Sequence, residues 1–132
     1  MADSGQLEDR PVGGRLNAAL ANEIGKLVAD FTGRGATRSR AFLHQDLVVC
    51  LLENGATKAE ANLVAAGREE LVRVQRDALQ RALEPQLVAA VERLTGRTVR
   101  TFLSGTNTAG DDSVEVFVLE PEPSSADGRA EG

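Results

Sequence analysis

Residues 47–52 read Leu-Val-Val-Cys-Leu-Leu, an unbroken apolar run between the polar groups His44-Gln45-Asp46 and Glu53-Asn54-Gly55. A run this short, bounded by turn formers, reads as a buried strand rather than a helix. It also falls well below the roughly 18 apolar residues needed to span a bilayer. Ala36 to Leu43, just before it, alternates apolar and polar in strand fashion. Two strands joined by so short a turn make an antiparallel hairpin.

The rest of the chain follows from periodicity. Arg15 to Thr32 repeats apolar residues at spacings of three and four (Leu20, Ile24, Leu27, Val28, Phe31), which is a helix with one apolar face. Gly33 supplies its left-handed cap. Thr57-Lys58-Ala59-Glu60 is a capping box that opens a second helix running to Gly67. A third runs from Arg68 to Leu94, with Leu71, Val74, Ala78, Leu79, Ala82, Leu83, Leu87, Ala90, Val91 and Leu94 as its expected buried stripe. Pro85 is expected to kink it. Thr98 to Leu103 and Ser113 to Leu119 are two more strands, with the polar loop Ser104 to Asp112 between them. The order α-β-β-α-α-β-β predicts an α+β single domain with a four-stranded, largely antiparallel sheet packed by helices.

With 132 residues there is room for one domain, expected over 14–120, between tails at 1–13 and 121–132 whose composition reads as disordered. Four Phe and no Trp or Tyr leave a core of Leu, Val, Ile and Ala. The net charge of −5 sits at the ends, because residues 11–119 hold acids and bases in equal number. The acidity therefore does not exclude an anionic partner. One cysteine, Cys50, forms no internal disulfide and points to a reducing compartment; inside its apolar run it acts as a small hydrophobe. The polar, acidic start of the chain is no signal peptide, so a cytoplasmic protein is expected.

Catalytic chemistry finds little support. His44 is the one histidine and sits in a turn, no zinc ligand set exists, and Gly33-Arg34-Gly35-Ala36-Thr37 lacks the spacing of a phosphate loop. The expectation is a protein that is not an enzyme and needs no cofactor or metal. Ser104, Thr106, Asn107, Asp111 and Asp112 form a polar loop that could hold a hard cation, though the same composition suits a plain hairpin loop.

The strands are more informative. Alternation puts Arg38, Arg40 and Phe42 on one face of the first, with Arg34 in the turn before it. Arg100 and Phe102 share a face of the third, and Glu115, Phe117 and Leu119 a face of the fourth. Val99, Thr101, Leu103, Val114, Val116 and Val118 then look like the core. Arg interleaved with Phe resembles the stacking surface of single-stranded nucleic-acid binders, and the alternative function is a nucleotide or single-stranded nucleic-acid binding module using this face. The competing reading covers both faces, one by helices and the other by a partner, a second copy or the first helix. It fits better, because Glu115 repels phosphate and no RNA-binding signature is present.

Gly33-Arg34-Gly35-Ala36-Thr37, followed by Asp46 through Gly55, resembles the "GRGPT…DDLVVVLLEG" run of a small bacterial family, MpsC, with Ala36 in place of Pro. The likeness continues through Thr57-Lys58-Ala59-Glu60, Gly67-Arg68, Leu94 to Arg97, Phe102-Leu103-Ser104 and Val114 to Glu120, spanning about residues 14–120. It implies association with a cation-translocating, membrane-potential-generating system and carries over no catalytic residue. With no membrane span of its own, such a chain is expected to serve as an accessory or regulatory protein. It would act by contact with a protein partner such as a membrane transport subunit, or as a homodimer.

Overall fold

The computed structural model describes residues 12–33, 38–53, 55–107 and 112–122. Helix α1 (Gly13–Thr32) leads to the hairpin β1 (Arg38–His44) and β2 (Leu47–Glu53). Helices α2 (Lys58–Ala65) and α3 (Glu69–Thr95) follow, then the hairpin β3 (Val99–Asn107) and β4 (Asp112–Leu119). The two hairpins lie side by side in one antiparallel sheet of order β1-β2-β4-β3. The expected α+β fold and element order are both present.

Local chemistry explains the boundaries. Gly33 and Gly96 take the left-handed conformation (φ 84° and 71°) and return their amides to the carbonyls of Ala29 and Glu92. The Gln45-Asp46 turn is closed from outside by Arg97, which donates to the Gln45 carbonyl at 2.8 Å, to Asp46 Oδ1 at 2.6 Å and to the Glu120 carbonyl at 2.8 Å. One guanidinium thus ties the β1–β2 turn to the end of β4.

The capping box is complete. Thr57 Oγ1 accepts from the Glu60 amide at 3.1 Å, and Glu60 Oε1 accepts from the Thr57 amide at 2.9 Å. The same carboxylate receives Arg76 of α3 at 3.0 Å, so the cap also fastens α2 to α3. Burial pushes the Glu60 pKa up, but the hydrogen bonds from Arg76 and the Thr57 amide and the Arg76 charge outweigh it, leaving it below the usual carboxylate value. Thr57→Ala removes one bond of the box and should cost about 1 kcal/mol. A shift in urea midpoint without a change of slope would register that loss.

α1 and α3 lie together on one face of the sheet and enclose the core: Leu16, Leu20 and Ile24 of α1, Val48, Cys50 and Leu52 of β2, Leu83, Leu87 and Val91 of α3, and Phe117 and Leu119 of β4. Asn17 Oδ1 accepts the Leu43 amide at 3.0 Å, holding α1 to the edge strand. Gly25 permits the close approach, since a Cβ there would lie 2.7 Å from Ser39 Oγ.

Several expectations change. Phe31 is 39% exposed, while Leu20, Ile24, Leu27 and Val28 pack as expected and Leu16 and Ala21 are buried beside them. In α3, Leu71, Val74, Ala78 and Ala82 face outward while Val72 is buried. A 27-residue helix is about 40 Å long, and strands of seven to nine residues span only about 23–30 Å. The first turns of α3 therefore have no sheet beneath them. Ser104, Gly105, Thr106 and Asn107 belong to β3 and Asp112 to β4, and the rest of the expected loop, 108–111, lies outside the described residues.

Candidate contact face of the sheet

Which face of the sheet is covered is the reverse of what alternation in the sequence suggested. Phe117 and Glu115 are wholly buried beneath the helices, and Phe102 packs against Phe117 with ring centroids 5.0 Å apart. The uncovered face carries Val114, Val116 and Val118 of β4, with Leu47, Val49 and Leu51 of β2. Thr101 and Leu103 join them from β3, and Arg38, Arg40 and Phe42 from β1.

A bulge between Val99 and Thr101 accounts for part of the change. It gives Arg100 an extra place in the strand, so Arg100 and Phe102 do not share a continued face. Val99 consequently packs toward the core while Thr101 and Leu103 point away from it. Of the expected Arg/Phe surface, Arg38, Arg40 and Phe42 stand together on the open side. Arg100 is exposed in the bulge, Phe102 and Phe117 belong to the core, and Arg34 lies outside the described residues. The stacking platform for single-stranded nucleic acid is therefore reduced to one Phe.

What remains is an apolar face. Phe42 is 49% exposed, Leu47 39% and Leu103 56%, and the valines between them are partly exposed. Register aligns Phe42 with Val49, Val49 with Val116, and Val116 with Leu103, so one continuous apolar row crosses all four strands. Contiguous apolar surface is what protein interfaces, membrane contacts and ligand grooves have in common. At one corner Arg38 and Arg40 lie 4.0 and 3.4 Å from Glu53, which leaves the centre of the face without charge. Counting helices could have found this face from the sequence: α1 and α3 suffice to cover one side of four strands, and α2, with eight residues, packs on α3.

The other side holds one unusual group. Glu115 is fully buried, opposite Cys50 on β2 and Ser104 on β3. Burial raises its pKa to about 7; Ser104 and Gln80 of α3 pull the other way, but neither closes a well-formed hydrogen bond onto it. Cys50 is sealed as well, its thiol pushed up to about 12 by burial and then by Glu115. Gln80, Arg81 and Glu84 of α3 line a cleft with Phe102, Ser104 and Thr106 of β3. Of the expected polar-loop residues, Ser104 and Thr106 thus face this cleft. Asn107 and Asp112 pair where the two strands part, and Asp111 lies outside the described residues. Among the described residues no three His, Cys, Asp or Glu side chains gather as a metal site. His44 is exposed at the end of β1.

Among the described residues no helix is long and apolar enough to cross a membrane. Comparison with curated proteins and with solved structures finds no match. The profile of one family, described as the Na+-translocating membrane potential-generating system (MpsC), matches residues 13–121. Since that match takes in every helix and strand described above, the chain belongs to the MpsC family.

Proposed function

We propose that this chain is a cytoplasmic accessory or regulatory protein of a cation-translocating, membrane-potential-generating system, working through protein–protein contact and carrying no catalysis of its own. The observation that supports this reading is the open apolar face around Val49, Val116, Phe42 and Leu103. The family description supplies the system, and no helix among the described residues is long and apolar enough to cross a membrane. Of the groups apt for covalent or acid–base work, Cys50 and Glu115 are buried and His44 stands alone in kind at the exposed end of β1.

The test is genetic and electrical. In cells deleted for the gene, cation-driven membrane potential should fall and the wild-type chain should restore it. A Leu103→Lys variant should fail to restore it while keeping a wild-type circular dichroism spectrum. Unchanged potential in the deleted cells, or full rescue by the folded variant, would overturn the reading. So would a strong 260 nm band that leaves the purified protein only in high salt. That band would be plain to see in a chain without Trp or Tyr, and it would identify a nucleic acid instead.

A further inference from the structure

We propose that the open face is occupied by a second copy of this chain, giving a symmetric dimer in which two sheets stack face to face with the helices outside. This rests on reading the face as a protein-contact surface and names the partner.

The face has the layout a two-fold axis requires. The sheet order places a hairpin on each half, so each side of the midline has one edge strand and one central strand. An axis along the strands, between β2 and β4, would lay β2 over the mate's β4 and β1 over its β3. Residues that share a row then pair across the axis. Val49 meets Val116 and Phe42 meets Leu103, the row's central pair and its exposed edge pair. In the neighbouring row Arg40 meets Gly105, which has no side chain to obstruct it. Each of these contacts occurs twice, as an isologous interface demands.

Charge and area agree with this occupant. Glu53 pairs with Arg38 and Arg40 at one corner of the face, so the row from Phe42 through Val49 and Val116 to Leu103 is free of charge. Its centre is built from valines and leucines on a pleated surface, and stacked sheets bury such surfaces at about 10 Å separation and roughly −30°. Four strands at about 4.8 Å and seven residues at about 3.3 Å give a face of roughly 440 Å² in plan. Two such faces, with side-chain relief added, come close to the ~1,200 Å² at which specific interfaces begin. The expected dimer therefore sits at the small end of specific interfaces and is reversible on dilution.

Sedimentation equilibrium of the full chain from about 1 to 200 μM tests this. The wild-type mass should rise from monomer toward dimer. Leu103→Lys, on an edge strand, and Val116→Lys, at the centre, should each weaken association at least about 100-fold, since each buries an unpaired charge. Circular dichroism and a urea midpoint establish that each variant is folded. Leu103→Lys keeps the test open if Val116→Lys does not fold. A wild-type chain that stays monomeric throughout overturns the second copy, while the contact reading then stands or falls on the rescue experiment. A dimer that folded Leu103→Lys leaves intact overturns the assignment of this face.

Discussion

Phe117→Ala should lower the unfolding free energy by about 3–5 kcal/mol, the usual loss when a buried Phe is truncated. Phe42→Ala, at protein concentrations low enough to hold the chain monomeric, should cost less than about 1 kcal/mol. Phe117 is fully enclosed between Phe102, Val48 of β2 and the helices, whereas Phe42 is 49% exposed on the uncovered side. Urea midpoints of the two variants would measure the contrast directly. Equal losses, or a larger one for Phe42, would mean that the helices cover the opposite face of the sheet.

The second large effect is a dependence on pH. Glu115 has a folded pKa of about 7 against the usual 4.5, so the native state holds its proton more tightly than the unfolded chain does. Its contribution to stability is complete below pH 4.5 and is lost as pH rises from there through about 7. At about 1.4 kcal/mol per pH unit, the loss across that window is about 3 kcal/mol. Glu60 has the opposite sign: its lowered pKa contributes stability above pH 4.5 that disappears as the pH falls through its folded value. Urea midpoints from pH 3 to 9 should therefore decline on both sides, and Glu115→Gln should flatten the upper limb alone. An upper limb of undiminished slope in Glu115→Gln would assign the titration to a different group.

The element order was legible because each segment carries its own period and its own stop signal: Gly33, Gly96, the Thr57–Glu60 box and the run ending at Glu53. The covered side of the sheet was not legible. Both faces of β4 are apolar enough to be core, and in sequence alone a carboxylate such as Glu115 belongs to a wet face. A carboxyl whose pKa burial raises to about 7 carries no such mark, and nothing in the spacing of residues reveals that shift. The Arg100 bulge adds a one-residue offset that strict alternation cannot represent. The open face is visible in the sequence as the valine series Val114, Val116 and Val118, which spacing alone does not distinguish from an interior. The deciding quantity was the number of helices available to cover them.

Cys50 gives the fold a built-in clock. It is the chain's one thiol, has no exposed surface, and lies at the centre of the sheet where β1, β2 and β4 meet. Thiolate chemistry is suppressed twice over, by steric enclosure and by a pKa pushed to about 12. An alkylating reagent can therefore modify the chain only in moments when the sheet has parted from its helices. With no tryptophan or tyrosine to follow, the labelling rate of this sulfur becomes the natural readout of how often the native state opens, and of how partner binding on the far side of the sheet slows it.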